Sequence, residues 1–378
     1  MAVTVVRTEA ARRWLLVGAG ALVLATLPAA VSALPVHIPP TGVAELAARI
    51  RASTAQPYTG YAVSTGTAGL PSLPQLGEVA DLLNGDTRLR VWYASARRWR
   101  VDVLDLGAER DTYQLTDRQV VWDYGRNELT EVSGAPPVRL PRGADLLPPD
   151  LARRLMAAAG TGDRLSPLPA RRVAGISAAG LRIVPGNPQS TVGHVDVWAD
   201  PSTGLPVEVS VTGRRATQPV LVSRFLEVRL GPPDRFVLTP PATRLGIGHV
   251  VTDSTDIVQT LADRRPGPLP DRLAGQPRSG TTPADLAGVA AYGSGLTQFV
   301  VLSVPPGMGY SAMRRASRAG GARLTFPDGD GVLVATPLLS LLAMDAHPVA
   351  RTYLVAGLVE PALLRQAGRE LASYRGWP

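Results

Sequence analysis

The chain has 378 residues, of which 45% are hydrophobic and 19% are charged, and its formal net charge is +8. This length predicts two domains, and this hydrophobic content excludes a disordered chain. There is no Lys, so every basic side chain is Arg, and there is no Cys, which excludes disulfides, Cys-bound zinc, thiol catalysis and a lipoprotein Cys anchor. The Arg residues occur in scattered pairs without interleaved aromatics, a pattern that does not indicate a nucleic-acid surface.

The beginning of the chain has the pattern of an export signal. Residues 1–13 form a basic segment, and residues 14–33, WLLVGAGALVLATLPAAVSA, carry no charge. This apolar run is long enough to cross a bilayer, and its basic flank predicts that the chain after it lies outside the cytoplasm. The small residues that end at Ala33 also fit cleavage by signal peptidase. Two predictions stay open: a transmembrane anchor, and a secreted protein cleaved after Ala33.

An amphipathic helix and a long run of strands follow. Within residues 43–55, the residues Val43, Leu46, Ala47 and Ile50 fall on one helical face. The next segments alternate apolar and polar residues and are linked by short turns. They must pair antiparallel, because a parallel crossover needs a dozen or more residues. The predicted strands are 58–66, 87–95, 98–106, 111–117, 119–125 and 127–132.

An insertion at residues 68–86 separates the first two of these strands. Its apolar residues Leu76, Val79, Leu82 and Leu83 recur at helical spacing, which predicts a short helix. Two interpretations of this helix stay open. It packs on the sheet as part of the core, or it is a mobile lid over an apolar cavity inside the curled sheet.

A helix at 150–159 precedes a second run of strands. This run contains a hairpin that turns at Asp200–Gly204, between the alternating segments 195–198 and 207–211, and a further strand at 220–230. Together the two runs predict one large antiparallel sheet, and a sheet with this many strands tends to curl.

The last part of the chain predicts a second domain. Residues 263–284 are rich in Pro and Gly and are typical of a linker. Residues 285–378 alternate strands and helices, which predicts a smaller α/β domain. The predicted fold class is therefore α+β, with a large antiparallel β-domain over residues 43–262 and a small C-terminal domain after it.

A search for catalytic or metal-binding residues finds no recognisable set. The four His residues lack a metal-ligand spacing such as H-E-x-x-H, and GISAAG at 175–180 misses the G-x-S-x-G pattern by one residue. DGDG at 328–331 lacks the bidentate Glu of a calcium loop, so a hairpin turn explains it better. We predict no enzyme, catalytic residue, metal or cofactor. Several carboxylates at predicted strand ends and turns are expected to be solvated; they are Asp102, Asp105, Glu109 and Asp111.

The exported part resembles the LolA/RseB (MucB) superfamily of extracytoplasmic proteins. The resemblance rests on the opening helix followed by YTGYAVST, the aromatic strands RVWYASARRWRVDVLD and DTYQLTDRQVVWDYGRNELTEV, the hairpin VDVWADPSTGLPVEVSV and the closing segment RFLEVRLGPPDRFVLTPP. The additional domain, which ends in RTYLVAGLVEPALLRQAGREL, resembles the two-domain arrangement of RseB-like sigma-factor regulatory proteins. The resemblance covers residues 43–375.

The resemblance implies a half-open β-barrel whose helix-covered face binds lipid or acyl chains. RseB-like members bind a single-pass membrane anti-sigma factor and respond to envelope lipids, whereas LolA-like members carry lipids or lipoproteins. The first hypothesis is therefore an RseB-like regulator, and the alternative is a LolA-like carrier. A hydrolase with an unrecognised site is the third hypothesis. An uncleaved N-terminal anchor would favour regulation, because a tethered protein cannot shuttle over long distances.

An aromatic sheet without reactive groups is what an apolar cradle requires. The alternation in residues 87–125 puts Trp92 on one face and Val91 and Tyr93 on the other, but it does not indicate which face is concave. Plain core packing of the same side chains is the alternative to a cavity. The predicted cavity or lid residues are Trp92, Trp99, Trp122, Trp198, Leu76, Val79, Leu82 and Leu83.

Overall fold

A computed structural model of the chain contains a large and a small β-sheet, each with its own helices. Residues 12–20 are helical, and the remainder of the predicted signal or anchor, 21–33, lies outside the described residues. Within the part of the chain that is described, no helix is both long and apolar enough to cross a bilayer. The described residues are 12–20, 36, 38, 41–71, 77–105, 108–133, 141–242, 247–252, 269–280, 288–347 and 350–375.

The larger sheet has twelve strands in the order β12-β6-β5-β4-β3-β2-β1-β11-β10-β9-β8-β7. All neighbours are antiparallel except β12 and β6, which are parallel. The strands are β1 (Tyr58–Gly66), β2 (Asp86–Ser95), β3 (Arg98–Asp105), β4 (Ala108–Gln114), β5 (Arg118–Asp123), β6 (Glu128–Ser133), β7 (Arg164–Val173), β8 (Ile176–Val184), β9 (Val192–Ala199), β10 (Pro206–Gly213), β11 (Pro219–Leu230) and β12 (Gly248–Thr252).

This sheet consists of two meanders, β1–β6 and β7–β11, which are joined in the middle by the pairing of β1 with β11. The joint runs from the pair Tyr58 and Leu230 to the pair Gly66 and Leu221. Strands β7 and β12 are the two edges, so the sheet is open. The predicted fold class, α+β with a half-open antiparallel sheet and covering helices, is confirmed.

The face of this sheet that we call the inner face is apolar and is covered by α1 (Val43–Ala52) and α3 (Pro148–Ala158). The amphipathic pattern of α1 buries Ile50 completely, and α3 buries Met156. Alternate residues of β2 belong to the same apolar core, since Val91 is 1% and Tyr93 is 5% exposed. Burial of one such side chain contributes about 1.5–3 kcal/mol, so this core dominates the stability of the domain.

The opposite face, which we call the outer face, carries Arg and carboxylate side chains as well as aromatic ones. Two short segments, one in contact with β3 and the other paired with β6, together form what we call the outer cover. One is the 3-10 turn Phe236–Leu238, which contacts β3, and the other is residues 247–252, which contain β12. Ile247 packs against the apolar cluster of Trp122 and Leu129.

The smaller domain is a six-stranded antiparallel sheet in the order β15-β16-β20-β19-β18-β17. Helices α4 (Pro306–Arg318) and α5 (Pro361–Ser373) both contact its strand β19. Helix α4 packs with Leu341, and α5 belongs to the cluster of Leu342, so the two helices cover opposite faces. The strands are β15 (Val289–Tyr292), β16 (Phe299–Val304), β17 (Ala322–Phe326), β18 (Gly329–Ala335), β19 (Ser340–Ala346) and β20 (Arg351–Gly357).

Residues 269–280, which lie within the predicted linker, are ordered. They form a short hairpin, β13 (Arg272–Leu273) and β14 (Gln276–Pro277), that belongs to the smaller domain. Its Pro and Gly content is typical of a linker, but Leu269 and Leu273 are anchored in the apolar core and are 7% and 0% exposed. Two buried Leu side chains are thus enough to fix this segment on the domain.

The two domains share an ordered interface. Ser190 and Val359 form an isolated β-bridge, with Thr191 N donating to Leu358 O at 3.1 Å and Glu360 N to Gln189 O at 2.7 Å. Apolar residues of the smaller domain, including Leu296 and Leu338, belong to the inner core of the larger one. Backbone pairing and apolar contact therefore hold the domains together.

Candidate functional site

The four predicted cavity Trp residues do not lie in one place. Trp99 pairs with Tyr93 across β3 and β2 and packs partly against the inner core. Trp92 lies on the outer face beside Arg100, and Trp122 lies on the same face in an apolar group with Tyr113 and Leu129. Trp198 is on β9, where the Arg171 guanidinium stacks on its ring. The sheet therefore uses these rings at four separate positions; whether any of them contacts a ligand stays a prediction.

The predicted lid is the helix α2 (Gly77–Asn84). Leu82 and Leu83 are partly buried against the inner core, Val79 is half-buried, and Leu76 lies outside the described residues. The Asn84 side chain accepts from Leu70 N at 2.8 Å and donates to Leu70 O at 2.7 Å. The end of α2 is thereby tied to the chain that follows β1.

We expect α2 to control access to any bound acyl chain, and this can be measured. Changing both Leu82 and Leu83 to Asp removes the apolar contact of α2 with the core, so acyl chains that co-purify with wild type should be lost. Lipids extracted from the purified full chain are quantified by mass spectrometry. Asp81→Ala, on the exposed side of α2, is the matched control. If the double variant melts like wild type and retains the same lipid, the lid interpretation is wrong.

The most unusual polar group of the larger domain lies on the outer face of β3 and β4. Arg100 donates to both oxygens of Asp102, at 2.6 and 2.9 Å, and to Asp111 Oδ2 at 2.8 Å. The Arg100 guanidinium is 4.9 Å from the ring centroids of both Trp92 and Tyr113, so it is held between two aromatic faces. We call these five residues the outer cluster.

The expectation that Asp102 and Asp111 are solvated is wrong. Both side chains are 0% exposed. The reason is their position in the pleat, because Asp102 pairs with Asp111 across β3 and β4 and Arg100 is on the same face. The signal in the sequence is the alternation Arg100, Val101, Asp102, Val103, which places two polar residues on one face of an otherwise apolar strand.

The charges of the outer cluster interact strongly. Burial raises the pKa of Asp102 above its usual range, in spite of its bonds to Arg100. Burial, and after it the charge of Asp102, raises the pKa of Asp111 to about 7. Burial also raises the pKa of Tyr113. One guanidinium therefore does not compensate both carboxylates fully.

Two groups of side chains in the described residues have ligand atoms close enough to hold a metal ion. Asp330, Asp345 and His347 form the first, where Asp345 Oδ1 accepts from Asp330 N at 2.7 Å and lies 3.3 Å from His347 Nε2. This group sits beside the β17–β18 hairpin, as predicted for DGDG. The second is made of Asp102, Asp111 and Glu109, where Arg100 already occupies both aspartates.

A hydrolase site at His194, on β9, would require paired carboxylates beside this side chain. Its Nε2 lies 3.8 Å from Asp196 Oδ2, and burial lowers the pKa of His194. Asp196 is held by Arg182, which donates to both carboxylate oxygens at 2.6 and 2.7 Å. The surroundings of His194 thus contain one carboxylate already engaged by Arg, and the paired carboxylates that a hydrolase would need are not brought to it among the described residues.

A cavity of about 480 Å³ lies between Pro71 of the larger domain and the end of α4 in the smaller one. Its lining includes Arg315 and Arg318, and both side chains are exposed. None of the predicted Trp or Leu residues that the structure describes lines it.

Comparison with known proteins gives matches among solved structures. No protein-family model and no curated protein matches the chain. A complex of MucA and MucB from Pseudomonas aeruginosa is 16% identical with a TM-score of 0.49, and covers 86% of this chain and 96% of its own. MucB in complex with MucA(peri) is 17% identical with a TM-score of 0.46 and the same coverage.

A LolA superfamily protein from Nitrosomonas europaea is 10% identical with a TM-score of 0.24, and covers 53% of this chain and 99% of its own. These are the groups of proteins that the sequence resemblance named. The chain is similar to MucB and LolA-superfamily structures.

Proposed function

We propose that the chain is a non-enzymatic, extracytoplasmic regulator of RseB type. It binds the extracytoplasmic part of a single-pass membrane anti-sigma factor, and lipid or acyl chains on the larger domain modulate this binding. The starting point is the sequence resemblance of residues 43–375 to two-domain RseB-like proteins, whose members bind such a factor.

The observation that carries the proposal is the ordered domain interface. A carrier of the LolA type needs only the sheet and its covering helices. Here the smaller domain is attached through the bridge of Ser190 to Val359, and Ser190 Oγ donates to Leu296 O at 2.7 Å. Arg215 and Glu360 add an ion pair of 2.5 Å at the rim. A second domain fixed in this way enlarges the surface available to a protein partner, which a regulator needs.

A lipid or lipoprotein carrier is the second candidate. It is favoured by the apolar inner face, which is covered by helices rather than by a second sheet. In this function α2 would move aside for the acyl chain, and the smaller domain would play no part in binding the cargo.

Capture of partners separates these two functions. The tagged full chain is isolated from its native membranes in mild detergent, and everything retained is identified by mass spectrometry, with an untagged strain as the control. A stoichiometric single-pass protein with a cytoplasmic sigma-binding domain is the expected result. Retention of lipid or lipoprotein without such a protein would overturn the regulator and favour the carrier.

The effect on transcription provides an independent test. Deletion of the gene is expected to change the transcripts of an envelope-stress regulon, and re-expression of the wild-type chain should restore them. An unchanged transcript profile under envelope stress, in a strain where the chain is normally produced, would contradict the proposed regulation.

A further inference from the structure

The outer cluster contains more negative than positive charge, and both of its carboxylates are buried. Asp102 and Asp111 are both 0% exposed, and Arg100, bonded to both, is 18% exposed. Asp111 Oδ2 accepts from Arg100, whereas Asp111 Oδ1 is buried and receives no hydrogen bond from a donor in the described residues. A buried carboxylate oxygen without a donor is costly, so this arrangement calls for one more hydrogen.

The place for this additional hydrogen is between the carboxylates of Asp102 and Asp111. Asp102 and Asp111 pair directly across β3 and β4, and each offers a carboxylate oxygen within 4.8 Å of the other's. Two ionised carboxylates can only accept hydrogen bonds, so a bond between them requires a proton on one of them. With that proton the pair carries one negative charge, which the Arg100 guanidinium balances.

We propose that Asp102 and Asp111 share one proton, and that loss of this proton loosens β3, β4 and the outer cover. The outer face is then a pH-responsive element of the larger domain. This role is distinct from the binding of an anti-sigma factor or a lipid, and it holds whichever of those functions the chain has.

The other titratable groups near Asp102 and Asp111 do not replace this pair as the source of the pH response. The 3-10 turn Phe236–Leu238, which contacts β3, has no titratable side chain. On the second segment of the outer cover, His249 Nε2 lies 3.4 Å from Glu131 Oε1, a separate pair at β6. The other titratable or charged groups that face the cluster are Arg90 on β2, Arg100 on β3, Glu109 and Tyr113 on β4 and Tyr124 after β5.

The direction of the pH response follows from the pKa of Asp111 in two states. In the closed state the Asp111 carboxyl is buried, and in the opened state β3, β4 and the outer cover have loosened around it. Burial, and then the charge of Asp102, raises the pKa of Asp111 to about 7 in the closed state. In an opened state, where water reaches the carboxyl, the pKa returns to about 3.9. Acid therefore favours the closed state. The opening equilibrium rises by at most about tenfold per pH unit between roughly pH 4 and pH 7, and levels off at higher pH.

Hydrogen–deuterium exchange of the full chain measures this opening. Exchange of peptides from β3, β4 and residues 231–242 is compared at about pH 5 and about pH 8, after correction for the intrinsic exchange rate. In wild type we expect opening to increase on the order of tenfold or more over this range. In Asp111→Asn, which keeps the shape and always supplies donors, the increase should disappear.

Asp117→Asn is the matched control, because Asp117 is a carboxylate of the same meander that is 73% exposed. It should keep the wild-type response. An equal response in wild type and Asp111→Asn would overturn the proposal. If Asp111→Asn does not fold, the infrared band of a protonated carboxylic acid in wild type decides: a band at pH 5 that is lost at pH 8 supports the shared proton, and no such band at pH 5 overturns it.

Discussion

Arg100→Met is expected to lower the free energy of unfolding at pH 8 by about 3–5 kcal/mol, which is typical when one partner of a buried ion pair is removed. Met retains much of the apolar contact with Trp92 and Tyr113. The loss of unfolding free energy therefore measures the contribution of the Arg100 charge and of its hydrogen bonds. Without the guanidinium, Asp102 and Asp111 stay buried with no cation bonded to them. Chemical denaturation of the full chain, followed by circular dichroism, measures the change.

The same variant has a distinctive pH dependence. At pH 5 the two carboxyls can take up protons and become neutral, so Arg100→Met should lose less stability than at pH 8. The control is Arg126→Met, because Arg126 is 72% exposed and lies 4.0 Å from its partner Asp123. A pair of this kind contributes about 0–1 kcal/mol. If Arg100→Met and Arg126→Met lost the same free energy of unfolding, the outer cluster would contribute no more to stability than an exposed ion pair.

Gly213→Val is expected to separate the two domains. Gly213 ends β10, and a Cβ atom at this position would collide with the backbone carbonyl of Pro337 in the smaller domain. Backbone cannot move aside as a flexible side chain does, so the interface has to shift, at a cost of about 1–3 kcal/mol. For wild type we expect a single unfolding transition in calorimetry, and for Gly213→Val two transitions at lower temperature.

Gly162→Val is the control for this substitution, because the space around a Cβ atom at Gly162 is open. Under the proposed function, Gly213→Val also loses the captured membrane partner, while Gly162→Val retains it. A Gly213→Val protein that melts in two steps and still captures the partner would show that binding does not depend on the domain interface. The regulator would then bind through one domain alone.

The elements predicted correctly are those whose pattern is local. The hairpin of β9 and β10 is readable because Val195 and Val197 alternate with polar residues on either side of a turn. The turn between β5 and β6 is readable for the same reason, and its Asn127 adopts the positive φ of 51° that Asn tolerates. In each case the information lies within a few residues.

Other elements escape prediction because tertiary contacts decide them. Strand β19, SLLAMDA, shows no alternation because helices cover both of its faces, so the sequence does not predict it as a strand. Whether a Trp ring lies in the inner core or on the outer face depends on which face the helices cover, and the alternation of residues does not indicate that face. Asp102 and Asp111 meet only when the register of β3 and β4 is known, which explains why the outer cluster was not predicted.

The joint between β1 and β11 has a consequence for how the chain folds. Within each meander, neighbouring strands are close in sequence, so they can pair as soon as they are synthesised. The joint instead brings Tyr58 to Leu230, across a long stretch of chain, and loop closure makes such pairing slow. We expect the two meanders to form first and to meet last. Until they do, β1 and β11 expose unpaired edges in the middle of the future sheet, and the nascent chain is most prone to aggregate at that stage.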